Sequence, residues 1–178
     1  THPRIRVFAH DDLSLGVKKT MLDRRADVGG LVDTTQVEGL QCRTLVREAM
    51  YFCGHDADGA VKKLLRGPGK KAQGKAGSNP PSSLRPELDF SDAVAQPLVL
   101  QSRRFAIRRG VEDAAGALGL PLNIAHEQDS TRVIRSLYLN GAGFTFTPAC
   151  ALHDQPPPRP SWVVARVKRP DLQRTYSL

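Results

Sequence analysis

The chain has 178 residues, 40% of them hydrophobic and 25% charged. That length suits one domain, or two small lobes with a buried core, and the composition is that of an ordinary globular protein. No run of about 18 apolar residues occurs, which excludes a membrane-spanning helix, and the first residues hold no apolar core of signal-peptide type.

The formal net charge is +8, but seven of the cations crowd between Gly59 and Pro86 with no acid among them: Lys62, Lys63, Arg66, Lys70, Lys71, Lys75 and Arg85. The rest of the chain is nearly neutral. No aromatic residue interrupts the basic stretch, so it offers phosphate contacts but no stacking platform for bases. A solvated, disordered basic loop at about residues 55–88 is expected, with a non-specific nucleic-acid binder as the rival reading. Cys42, Cys53 and Cys150 are scattered without a CxxC pair, so neither a disulfide framework nor a metal site is signalled. Cys42 and Cys53 read as small buried hydrophobes.

The elements follow in chain order. Residues 5–9 alternate as a half-buried strand does. A helix is expected over 12–24, with Leu13, Val17 and Met21 on one side and Asp11, Asp12 or Ser14 at its start. Residues 28–32 form a short apolar strand that ends in Asp33 and Thr34. Residues 41–45 and 48–53 are two further strand candidates, and 61–66 a helical turn. After the basic stretch come a brief helix at 90–95 and a compact strand at 97–100 that ends in Gln101 and Ser102. A helix over 104–118 stops at Gly119. A strand at 122–126 leads through Gln128, Asp129 and Ser130 into another helix, which Gly141 and Gly143 terminate. A strand at 144–147 carries Thr147. Pro156, Pro157 and Pro158 make a rigid loop, and 162–167 and 172–178 are the final strands.

The recurring unit is strand, polar turn, helix. In open parallel sheets, ligands gather beyond the carboxyl ends of the strands, near helix N-termini. This nominates Asp33, Gln101, Ser102, Gln128, Ser130, Thr131 and Thr147 as binding residues. Catalysis is not signalled. His2, His10, His55, His126 and His153 fall in no metal-ligand spacing, and no serine sits in a GxSxG turn. His126 reads as a packed or hydrogen-bonded strand residue. Gly141-Ala142-Gly143 follows a helix rather than a strand, unlike a dinucleotide fingerprint. No P-loop occurs, and no cofactor is implied.

Several stretches, in order, resemble the effector-binding domain of LysR-type transcriptional regulators. They are HPRIRV at 2–7, LDRRADVGG at 22–30, VEGLQ at 37–41 and REAMYFCG at 47–54. The most specific are QPLVLQSR at 96–103 and LNIAHEQDS at 122–130, followed by IRSLYLNGAGFTFTP at 134–148 and RTYSL at 174–178. The resemblance implies an α/β, two-lobed periplasmic-binding-protein-like fold with mostly parallel sheets. It places one lobe at 1–47 plus 160–178 and the other at 48–159.

The same resemblance implies a small, anionic effector bound between the lobes. Ser102, Ser130 and Thr131 then face Asp33 or Ser14. It also implies a homo-oligomer, dimer or tetramer, working in the bacterial cytoplasm. DNA would be bound only through a winged helix-turn-helix that this sequence lacks. The first strand–helix unit of the first lobe is missing too, so a fragment or truncated product is expected. A solute-binding protein of the same fold is the alternative.

Overall fold

The computed structural model describes residues 5–34, 36–67, 85–152 and 161–178. The chain divides into two compact units, one of Thr1–Arg47 with Thr175–Leu178, the other of Glu48–Arg174.

The first unit holds helix α1 (Ser14–Leu22) and the two-residue strand β1 (Leu31–Val32), which pairs antiparallel with β8 (Gln173–Ser177). Leu31 and Val37 are buried, whereas α1 buries no residue completely. The helix passes close over Gly29, where an added Cβ would lie 2.8 Å from the Met21 side chain and 2.9 Å from that of Val17. Glycine is what allows that approach. The expected side-chain cap on α1 is absent. Leu13 occupies the N-cap position, and Ser14 instead bonds to Val32.

The strand expected at 5–9 does not form. Ile5, Val7 and Phe8 are exposed, Phe8 by 93%, and no described residue pairs with them. Period-two alternation specifies a strand only where a neighbour accepts its backbone hydrogen bonds.

In the second unit, the two strands expected between 41 and 53 are one long strand, β2 (Thr44–His55), which begins in the first unit. β6 (Phe144–Pro148) and β7 (Trp162–Lys168) flank it, both antiparallel. β4 (Leu98–Leu100) runs parallel to β6 and to β5 (Ile124–Glu127), and β3 (Glu87–Asp89) runs parallel to β7. The sheet is therefore mixed, not mostly parallel as expected. β7 belongs here by its pairing, so the stretch from Trp162 to Arg174 lies with the second unit rather than with the first.

Alternate residues of the central strands feed two cores. Phe52, Leu98, Leu100, Phe144 and Phe146 face the layer that includes Val111 and Ala115 of α4 (Ala106–Ala117). Tyr51, Cys53, Val99 and Val164 face the layer that includes Ile134 and Tyr138 of α5 (Thr131–Leu139). Each fully buried large apolar side chain contributes about 1.5–3 kcal/mol. These two helices fix where the C-terminal ends of β4, β5 and β6 open.

The expected basic loop carries regular structure at both ends. Helix α2 (Ala60–Leu64) places Val61 in the core beside Leu65, and the Asp56 carboxylate accepts from the Val61 and Lys62 amides. At the far end come β3 and α3 (Phe90–Val94). The middle of that loop, the proline loop at 156–158 and the chain start at 1–4 lie outside the described residues. So does His153. No described helix is long and apolar enough to cross a membrane. Among the described residues Cys42, Cys53 and Cys150 form no disulfide, with Cys53 buried and Cys42 only partly so.

Candidate functional site

β4, β5 and β6 run parallel, so their carboxyl ends open on one edge of the second unit. Gln101 and Ser102 follow β4, Gln128, Ser130 and Thr131 follow β5, and Thr147 lies near the end of β6. The six nominated residues of this unit are thus brought to one edge.

Thr147 and Gln101 are each 8% exposed. Leu98 lies opposite Phe144, and three steps on from that pair stand Gln101 and Thr147. On the other side Thr147 pairs with Tyr51, whose ring carries the Arg85 guanidinium at 5.6 Å. Thr147 and Gln101 thus lie at neighbouring strand ends, and Thr147 is paired with Tyr51, which is buried within β2. Among the described residues the Oε1 of Gln101 is buried without a hydrogen-bond partner, a state that folded proteins rarely leave uncompensated.

Gln128 and Ser130 are engaged at the start of α5. The Gln128 Oε1 accepts from the Asp129 and Ser130 amides at 2.9 and 3.3 Å. The Ser130 Oγ accepts from the Val133 amide, as an N-cap serine does. Thr131 is exposed at the first turn.

Ser102 meets Asp129. Its amide donates to Oδ1 of Asp129 at 3.0 Å, and Arg104 pairs with Oδ2 at 2.7 Å. Hydrogen bonds from the Ser102 hydroxyl and amide, with the Arg104 charge behind them, hold the Asp129 carboxyl below the usual aspartate range.

Behind β4, Arg108 is buried. Nη1 donates to the Gln101 carbonyl at 3.0 Å and to Oε2 of Glu127 at 2.9 Å, while Nη2 pairs with Glu112 at 3.0 Å. Asp129 and Arg108 escaped the sequence reading. Their partners are fixed by register and helix placement, and no local pattern marks them. His126, expected to be packed or hydrogen-bonded, is exposed on β5.

The first-unit candidates serve their own unit. The Ser14 hydroxyl accepts from the Val32 amide at 3.0 Å and donates to the Val32 carbonyl. Asp33 has a φ of +50°, and its Oδ1 accepts from the Thr175 amide at 2.8 Å. These bonds fasten α1 to β1 and β1 to β8. Among the described residues no group of three or more His, Cys, Asp or Glu could hold a metal ion.

Comparison with known proteins fits this architecture. The effector-binding domain of a BenM variant is similar over 99% of this chain and 72% of that chain, at 14% identity and a TM-score of 0.75. The regulatory domain of Synechocystis PCC6803 CcmR, solved in complex with 2-PG, is 10% identical over 99% of this chain and 74% of that chain, with a TM-score of 0.68. Full-length CbnR, complexed with its target DNA, is 16% identical over 93% of this chain and 48% of that chain, with a TM-score of 0.66. This chain thus spans about half the length of such full-length regulators. No curated protein matches it. The family model of the LysR substrate binding domain matches residues 1–178, and the chain belongs to that family.

Proposed function

We propose that this chain is the effector-sensing domain of a bacterial LysR-type transcriptional regulator, not an enzyme. In this reading its second unit grips a small anionic metabolite at the carboxyl ends of β4, β5 and β6. The observation that carries the reading is the convergence of Gln101, Ser102, Gln128, Ser130, Thr131 and Thr147 on one sheet edge. Helix α5 points its positive end there, which favours an anion. The Oε1 of Gln101, buried and without a partner among the described residues, supports a polar ligand with a donor group.

Regulation then requires that the effector prefer one conformation over another, since equal affinity shifts nothing. In this reading DNA binding belongs to the whole regulator, as in the full-length neighbour solved on its target DNA, and oligomerisation and a cytoplasmic setting are part of the same proposal.

Calorimetry with a panel of small carboxylates and phosphorylated acids tests the reading. A binder whose affinity falls about tenfold in Ser102→Ala, the loss of one or two hydrogen bonds, supports it. Silence across the panel, or equal affinity in Ser102→Ala, Ser130→Ala and Thr131→Ala, refutes it.

A further inference from the structure

The β4–α4 loop is shaped to hold an oxyanion, and its present occupant is a carboxylate from the chain itself. Ser102 offers its amide, and Arg104 offers its guanidinium, to the two oxygens of Asp129 at 3.0 and 2.7 Å. This is a charge-assisted pair of contacts of the kind that binds a free carboxylate or phosphate.

The loop holds its form by other bonds. The Phe105 amide closes a turn on the Ser102 carbonyl. The Arg109 Nη1 donates to the carbonyls of Arg103 and Arg104, at 3.3 and 2.8 Å. The Arg104 guanidinium also rests 5.6 Å from the centre of the Phe105 ring. Arg103 is committed elsewhere, to Glu112 at 3.0 Å. Taking Asp129 away would therefore leave a preformed seat with the Ser102 amide and hydroxyl and the Arg104 guanidinium as its donors.

We propose that Ser102 and Arg104 form an oxyanion seat that Asp129 fills as a tethered surrogate, and that an incoming carboxylate or phosphate binds by displacing it. The seat rests on this loop's own contacts. Its use by an effector rests on the reading given above. Displacement has a consequence along the chain, because Asp129 immediately precedes the Ser130 cap of α5. Releasing its carboxylate frees the link between the β4–α4 loop and the start of α5. A tethered competitor acts as though present at about millimolar concentration or above. The wild-type seat is therefore selective for anions that also gain contacts elsewhere on the edge.

The test follows the Ser102 amide resonance of the ¹⁵N-labelled chain during titration with sodium acetate and, separately, inorganic phosphate, at constant ionic strength. In Asp129→Ala the resonance should move saturably, with an apparent affinity at least about tenfold tighter than in the wild type. Adding Arg104→Gln to that variant should abolish the gain. Asp129→Asn keeps the shape of the side chain and serves if the alanine variant does not fold; the same gain over wild type is required of it. An unmoved Ser102 amide in a folded variant overturns the proposal, as does a shift that survives Arg104→Gln. A clear gain in Asp129→Ala, with no metabolite bound by the wild type, leaves the seat standing and removes the effector reading.

Discussion

Arg108, on α4, donates a 3.0 Å hydrogen bond from Nη1 to the backbone carbonyl of Gln101, the residue that follows β4. Its side chain is only 5% exposed, yet it carries a full charge, matched by Glu112 and Glu127. Burying a guanidinium is tolerable only with partners of this kind. The bond ties the helix to the strand end that presents Gln101 and Ser102.

Arg108→Met should therefore cost about 2–3 kcal/mol, from a buried carbonyl left without its donor and a Glu127 carboxylate left without its cation. Both glutamates are partly solvated, which keeps the loss below that of a fully buried pair. Urea unfolding would measure it. A change under about 0.5 kcal/mol would show that Arg108 is not what holds the strand end.

Gly143 and Gly110 make an opposed pair. Gly143 has a φ of +147°, and a Cβ there would lie 2.7 Å from the Pro97 carbonyl oxygen. That contact is backbone on backbone, at the point where the Phe144 amide bonds to the same Pro97 carbonyl. Gly143→Ala should cost about 2–4 kcal/mol through strain and a displaced strand pair. Gly110 lies inside α4, and a methyl group added there would meet nothing within 4 Å. Gly110→Ala should add about 0.5–1 kcal/mol, since alanine is the better helix former and loses less entropy. Thermal unfolding of both variants checks the contrast, and the two shifts should have opposite sign.

The elements most legible in the sequence were those whose own residues decide them. The apolar stripe of α4, with Val111 and Ala115 inward, and the Ser130 start of α5 were both readable. So were the compact apolar β4 and the polar residues at its end. What was not legible depended on distant partners. Residues 5–9 alternate as a strand does but have no strand neighbour among the described residues, and β3 is too short to show any period. The antiparallel pairing of β7 with β2 moved it into the second unit, and register does not show in composition. The site was readable as a set of strand ends. The carboxylate of Asp129 against Ser102, 27 positions away, was not.

Cys150 is exposed, yet its thiol is held above the ordinary cysteine range. Partial burial raises its pKa first, and the nearby Glu48 charge raises it further, outweighing Arg174. Glu48 accepts from the Cys150 amide at 2.9 Å and pairs with Arg174 at 3.3 Å. Replacing Glu48 by glutamine removes the anion and leaves the Arg174 cation, so the thiolate fraction should rise. Alkylation of Cys150 by iodoacetamide at about pH 7.5 should be several-fold faster in Glu48→Gln. Peptide mass spectrometry resolves it from Cys42. An unchanged rate would mean that access, not charge, limits the reaction.

Asp171 gives the acid limb of stability a specific contributor. Arg166 donates from Nε and Nη2 to its Oδ1, at 3.2 and 3.1 Å, and from Nη2 to its Oδ2 at 2.8 Å. Burial alone would raise the Asp171 carboxyl, but hydrogen bonds from Arg166 and Gln173 and the charges of Arg166 and Lys168 outweigh it, so the carboxyl titrates below its ordinary value. A folded-state pKa below the unfolded one means stability present above the unfolded value, about 3.9, and lost as pH falls through the folded value. The Asp171 and Arg166 side chains are 33% and 31% exposed, so solvent screens the pair and its worth at neutral pH is about 1 kcal/mol. Asp171→Asn should show that deficit at pH 7, hold it down to about pH 5, and converge on the wild type below about pH 3. Parallel curves across the whole range would mean that the loss comes from packing and not from the carboxylate.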